Sequence, residues 1–250
     1  MRIRAPVDHI PAPPFPPRLR WINVASLRLD QQRGRPVLVE FWDFCRPNSM
    51  RTLPYLKAWH ERYSGLGLRV IGVHTSGFEP SADPDAVAAA VERLGIEYPV
   101  VIDTDGQIWN EYENLGWPAR YLFNGSQFLD DYHYGEGAYL ETELAIQRLL
   151  SADQAPLAPL RPEDAPEALL VTPSTDISGP YSGPYQAGGV WGVFSGPGRL
   201  KVNGTELELA APGAYELIRH PRHTSSELEM ELLGALECLA VCFTPGLADG

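Results

Sequence analysis

A chain of 250 residues is long enough to hold two modest domains, each with its own core. With 44% apolar and 21% charged residues it reads as a folded protein, which excludes a largely disordered chain. A formal net charge of −12 excludes nucleic acid and anionic membrane as expected partners, because both reward clustered Lys and Arg. No apolar stretch follows Met1-Arg2-Ile3-Arg4, and no 18-residue apolar run occurs anywhere, so the expected location is the cytoplasm. Three cysteines without framework spacing agree with a reducing compartment.

Residues 1–17 carry six prolines, which disfavour helix and sheet alike, and read as an extended arm laid on the surface or left mobile. Arg20-Trp21-Ile22-Asn23-Val24 and Leu27-Arg28-Leu29 follow as short strands. The run from Val37 to Trp42 is apolar apart from Glu40, as in a strand buried on both faces. From Met50 the apolar spacing turns helical, with Leu53, Leu56, Trp59 and Tyr63 on one face. Residues 43–49 therefore lie where a strand ends and a helix begins. There the helix dipole and free N–H groups favour negative charge, so a cysteine becomes a better thiolate.

Leu68 to His74 is a second buried-strand run. Asp83 reads as an N-cap, Pro84 as the first helical residue and Gly95 as the stop. Tyr98 to Asp103 is the next strand, and this alternation implies a parallel sheet with helices on its faces. Tyr121-Leu122-Phe123, a turn at Asn124-Gly125, and Phe128 to Tyr134 make a hairpin, and a helix follows over about 138–150. Residues 152–167, rich in Pro and Ala, read as a stiff linker.

Beyond the linker the period changes to two. The turn Asn203-Gly204 sets Leu200 opposite Leu207, Lys201 opposite Glu206 and Arg199 opposite Glu208. Leu228, Met230 and Leu232 alternate with glutamates in a half-exposed strand, and Leu236 to Phe243 is apolar enough for a central one. Short strands between Gly and Pro turns indicate a small antiparallel β-sandwich.

The order strand, Phe41-Trp42, short loop, helix with an internal Pro54 resembles the active-site region of thioredoxin-like proteins, especially redoxins of the TlpA/DipZ type within the AhpC/TSA-redoxin group. Counted from Trp42 forward and from Pro54 backward, the two redox cysteines of that family fall at positions 46 and 49, where this chain has Arg46 and Ser49. Cys45 matches an extra cysteine that precedes the pair in some relatives. A rival alignment reads Cys45-Arg46-Pro47-Asn48 as a Cys-x-x-Cys whose second thiol is Asn48. The Pro arm, Trp21-Ile22-Asn23 and Gly135-Glu136-Gly137 also resemble this family, and Pro118 matches its cis proline. The segment from Tyr215 to Arg219 and the strands after it resemble the carbohydrate-binding-module-like domain that follows the redoxin in DipZ-type proteins.

The resemblance implies an α/β thioredoxin-like fold followed by a small antiparallel β-sandwich. The divisions are 1–17 for the arm, 18–151 for the thioredoxin-like domain, 152–167 for the linker and 168–250 for the β domain. Two functions follow. In one, Cys45 is a monothiol nucleophile activated by the helix N-terminus and Arg46, with Asn48 or Ser49 hydrogen-bonding the thiolate and Pro118 shaping the groove. In the other, the protein is a redox-inactive module that uses groove and β domain to hold a protein, peptide or glycan. For that second function Cys45 is a small buried residue.

Glu40 matches the buried acid beneath the family's dithiol, and Arg46 or Arg51 is the expected partner for its charge. Arg46 itself calls for an anion or carboxylate. Trp42, Trp117 and Tyr121 either flank the groove, where they would bind an extended peptide, or fill the core, the commoner role. In the β domain Tyr181, Tyr185, Trp191 and Phe194 offer rings either for sugars or for a core. His220 and His223, in a polar turn without a thiol or carboxylate nearby in sequence, are read as a solvated loop rather than a metal site, and neither metal nor cofactor is expected. Cys238 and Cys242 are read as core residues on one strand face, too far apart for a disulfide. Reduction of insulin disulfides is expected to be absent.

Overall fold

The computed structural model describes residues 9–248. The rest of the predicted arm, with the charged N-terminus, lies outside the described residues. From residue 9 the arm is laid on the surface: the Ala12 N–H donates to Gln127 O at 2.8 Å and the Leu129 N–H to Ile10 O at 2.8 Å.

The first part of the chain is one mixed sheet with helices. In chain order it comprises β1 (Arg20–Ile22), β2 (Val37–Trp42), α1 (Pro47–Tyr63), β3 (Arg69–His74), α2 (Pro84–Arg93) and β4 (Val100–Ile102). It continues with α3 (Gln107–Glu111), β5 (Ala119–Phe123), β6 (Leu129–Tyr134) and α4 (Tyr139–Leu150). The strands lie in the order β1-β4-β3-β2-β5-β6, with β2, β3 and β4 parallel and β1, β5 and β6 antiparallel to their neighbours. Because side chains alternate along a strand, β2 feeds two cores. Leu38 and Trp42 join Leu56, Trp59, Val91 and Ile146 beneath α1, α2 and α4, while Val37, Val39 and Phe41 join Ile108, Tyr112 and Tyr121 on the other face. Asp83 caps α2 by accepting the Asp85 N–H at 2.9 Å.

Leu27-Arg28-Leu29 is not a strand. Arg28 pairs with Asp30, the Gln31 N–H donates to Arg28 O, and the chain closes into a 3₁₀ turn over Leu29–Gln32. The hairpin after β5 is longer than a two-residue turn, because Asn124 Oδ1 accepts the N–H groups of both Ser126 and Phe128.

The second part is all β: β7 (Leu170–Val171), β8 (Ile177–Ser178), β9 (Gly183–Phe194), β10 (Gly198–Val202), β11 (Thr205–Leu209), β12 (Gly213–Leu228), β13 (Met230–Leu233), β14 (Cys238–Thr244) and β15 (Gly246–Leu247). A sheet ordered β12-β9-β14-β8 and one ordered β11-β10-β13 enclose a core containing Val190, Phe194, Leu200, Leu209, Val241 and Phe243; β7 and β15 form a separate ribbon. The β10–β11 register is the one the turn chemistry demands, with Leu200 opposite Leu207, Lys201 opposite Glu206 and Arg199 opposite Glu208. Asn203 and Gly204 both take positive φ there, the geometry of a two-residue hairpin turn.

Two β expectations are corrected. The strand around Leu228 to Leu232 is broken, since Asn203 binds the backbone N–H and C=O of Glu229 and turns that residue out between β12 and β13. Cys238 and Cys242 do not share a face. The register between β14 and β9 shifts between Cys238 and Ala240, and this bulge turns Cys238 into the sandwich core and Cys242 toward the first sheet's helices.

Candidate active-site loop

The loop after β2 is organised by Asp43, which is fully buried. Its Oδ1 accepts the Cys45 N–H at 2.8 Å and its Oδ2 the Gly77 N–H at 2.7 Å, while its own N–H donates to Ser49 Oγ at 3.3 Å. His74 Nε2 stands 3.7 Å from Oδ1. One carboxylate thus ties the end of β2, the start of α1 and the loop after β3 together. Asp43 was not singled out from the sequence; an Asp two residues ahead of the N–H it caps is the Asx-turn pattern that would have found it.

Cys45 has no exposed surface. Burial pushes its thiol well above the ordinary range, the Asp43 charge adds to the rise, and Ser81, Arg46 and Arg93 only partly oppose it. The expectation of an activated thiolate is corrected: desolvation outweighs the helix terminus and the nearby guanidinium. Arg46 does occupy the N-cap position of α1, ahead of Pro47, but its side chain makes no capping hydrogen bond. Its guanidinium lies 4.7 Å from the Phe78 ring and 4.7 Å from that of Trp117, and Nη2 donates to Gly77 O at 3.4 Å. Aromatic faces take the place of the anion expected there. Asn48 is exposed and Ser49 is buried in the Asp43 knot.

Glu40 is completely buried on the α1 side of β2. Neither expected arginine reaches it. Arg46 is held by the two rings, and Arg51 pairs with Glu136 at 2.7 Å and Glu163 at 3.1 Å. The charge facing Glu40 is that of Arg120, its cross-strand neighbour on β5. Burial prevails over that charge and raises the Glu40 carboxyl to about 8.

The Trp117–Pro118 peptide is cis. Trp117 packs at a tilt on Trp109, ring centroids 4.3 Å apart, and donates its Nε1–H to Thr75 O at 2.8 Å, which presents its ring to Arg46. Pro118 is buried, while Trp117 and Arg46 meet beside the loop. Trp42 and Tyr121 do not flank it. Trp42 is buried under α1, and Tyr121 belongs to the opposite core, where its hydroxyl donates to Asn114 Oδ1 at 2.9 Å.

The β region covers this loop. The Ala214 N–H donates to Phe44 O at 3.0 Å, and Arg93 Nη2 reaches Pro212 O at 3.4 Å. Between them Gly213 has φ +148°, and a Cβ there would lie 3.5 Å from Phe44 O. Val193 and Ala240 share one apolar cluster with Phe44 and Cys45, against which Cys242 also packs. The segment between the two parts runs without regular structure to Arg161, closes into a 3₁₀ turn over Pro162–Asp164, and is bound to the helices. Arg161 donates to Arg51 O at 2.8 Å and pairs with Asp164 at 2.9 Å and Glu136 at 3.2 Å. Tyr55 Oη donates to Asp164 and accepts the Leu160 N–H, each at 2.8 Å, and the Leu157 N–H donates to Glu143 at 3.0 Å.

Elsewhere in the β region Tyr185, Trp191 and Phe194 are buried, Tyr181 packs against the sandwich core, and Tyr185 Oη lies 2.9 Å from His220 Nε2. Among the described residues no group of three or more His, Cys, Asp or Glu side chains converges to hold a metal, and no helix is long and apolar enough to cross a membrane.

A model of the AhpC/TSA family matches residues 12–131. Over 200 residues the chain is 32% identical to Protein DipZ of Mycobacterium tuberculosis (strain CDC 1551 / Oshkosh), covering 75% of this chain and 29% of that protein. Three quarters of the chain is more than the mixed-sheet part alone supplies, so the match enters the β region. The thiol-disulfide oxidoreductase YkuV of Bacillus subtilis (strain 168) is 23% identical over 141 residues, covering 56% of this chain and 95% of that one. Among solved structures, a thioredoxin-like protein in the oxidised form aligns with a TM-score of 0.52 at 24% identity, over 56% of this chain and 95% of its own. This likeness shows the fold of the first part to be thioredoxin-like.

Proposed function

Since the chain belongs, through residues 12–131, to the AhpC/TSA family of thioredoxin-like redoxins, we propose that it keeps the redoxin fold as a binding module and does not turn over disulfides. On this reading Arg46 and Ser49 stand at the two redox-cysteine positions. Disulfide exchange needs a thiolate that reaches the partner's sulfur. The observation that carries the reading is the sealed state of Cys45: no exposed surface, a thiol held protonated by burial, and the β region bonded to Phe44 next to it.

The partner on this reading is a protein or peptide, met at the half-buried pair Arg46 and Trp117. A glycan is the weaker alternative, because three of the four rings named for sugar stacking lie inside the β region. The cytoplasm suits a chain whose cysteines are all free thiols. The test is insulin reduction in dithiothreitol. The rate is expected to stay at the reagent's background; turnover that disappears in Cys45→Ser sinks the proposal.

A further inference from the structure

We propose that the β region is a reversible lid on the loop of Cys45, so that the thiol is latent rather than permanently structural. This deepens the reading of a silent redoxin and rests on it, adding how the silence is regulated.

Three features of the contact set it apart from ordinary core packing. First, β12 is the edge strand of its sheet, and its Ala214 N–H points away from β9 to Phe44 O. An edge strand that lends an N–H to a neighbouring chain is the geometry by which sheets take up extended partners, and here the acceptor belongs to the same molecule. Parting the two breaks no ladder bond in either sheet.

Second, the polar contacts across this face are few, the others being the 3.4 Å approach of Arg93 to Pro212 O and the placement of that guanidinium 5.9 Å from the Tyr215 ring. The remainder is apolar, with Val193, Ala240, Ala214, Leu239 and Cys242 packed into the cluster that holds Phe44 and Cys45. Third, the segment that carries the β region is fastened elsewhere, by Arg161, Leu160 and Leu157 on α1 and α4. The cover can therefore swing while its post stays in place. Gly213 sits between the Pro212 and Ala214 contacts, with a positive φ that suits glycine.

The experiment uses the full chain with Cys238→Ala and Cys242→Ala, folding verified by circular dichroism, and follows maleimide labelling of Cys45 over low urea concentrations. A lid predicts labelling through a local opening, with a rate nearly independent of urea below the global transition. Ala214→Pro, which removes the N–H to Phe44, is expected to raise that rate about fivefold, the weight of one net hydrogen bond. Arg93→Ala changes only an exposed side chain of α2, so it keeps the test alive if the proline variant fails to fold, and it is expected to raise the rate in the same direction. Labelling that follows global unfolding in the parent, with no acceleration in either folded variant, overturns the lid. It leaves the silent-redoxin reading standing, which only insulin turnover removes.

Discussion

At the scale of single residues, two buried groups decide the chemistry of this fold. Glu40 sits where its carboxyl is raised from an ordinary 4.5 to about 8 by burial, with Arg120 opposing. The sign for stability follows directly. Between those values the unfolded chain has released the proton that the folded chain still holds, so stability falls as pH rises through the window and levels off above 8. The slope contributed is at most about 1.4 kcal/mol per pH unit. Glu40→Gln is expected to remove that part of the slope and to gain relative to the parent at alkaline pH, as read from urea midpoints across the window. An unchanged slope would mean that the carboxyl is already ionised. Legibility from sequence also differs residue by residue. Cys45 stands visibly at a strand–helix junction, and local rules made it reactive. Part of the cluster it is buried in, Val193, Ala214 and Ala240, comes from far along the chain. Nothing local announces a neighbour that distant. Trp42 and Tyr121 likewise need the strand parity of the finished sheet before their sides are known.

At the scale of elements, the pieces set by short-range chemistry were readable and the pieces set by tertiary contact were not. The Asp83 cap and the Asn203-Gly204 hairpin with its register follow from residue types with fixed backbone preferences, while the cis proline at 118 was implied by the family resemblance. The bulge in β14 and the break at Glu229 depend on partners across a sheet, and so escaped. The segment over 152–167 shows both sides. Its prolines made the lack of helix and strand up to Arg161 legible, but not the 3₁₀ turn at Pro162–Asp164 or the attachment, which required Arg161 to meet Glu136, Asp164 and the Arg51 carbonyl. Arg161 is 9% exposed, so removing its guanidinium strands buried carboxylates. Arg161→Ala is expected to cost about 3–5 kcal/mol of stability, read as a lower urea midpoint, and to open the segment to limited proteolysis. A loss within a few tenths of a kcal/mol would show that the network is a solvated decoration.

At the scale of the whole molecule, two folds share one apolar cluster that runs from Trp59 under α1 to Val193 and Ala240 in the β region. Shared burial couples their unfolding, because exposing one half leaves apolar surface on the other. Thermal unfolding is therefore expected to be a single transition, with near-UV signals from Trp59 and Trp191, separated by single Trp→Phe replacements, moving together. Two resolved steps would count against the coupling. The bulge in β14 gives this coupling its mechanism. By setting both Leu239 and Ala240 on the redoxin side before alternation resumes, one extra residue makes a single strand serve as the inner wall of the sandwich and the outer wall of its neighbour. Such a party wall makes the two folds poor candidates for shuffling as cassettes. A recombinant that exchanges either half must inherit the parity of this strand, and a one-residue deletion there would turn each room's furniture out into the other.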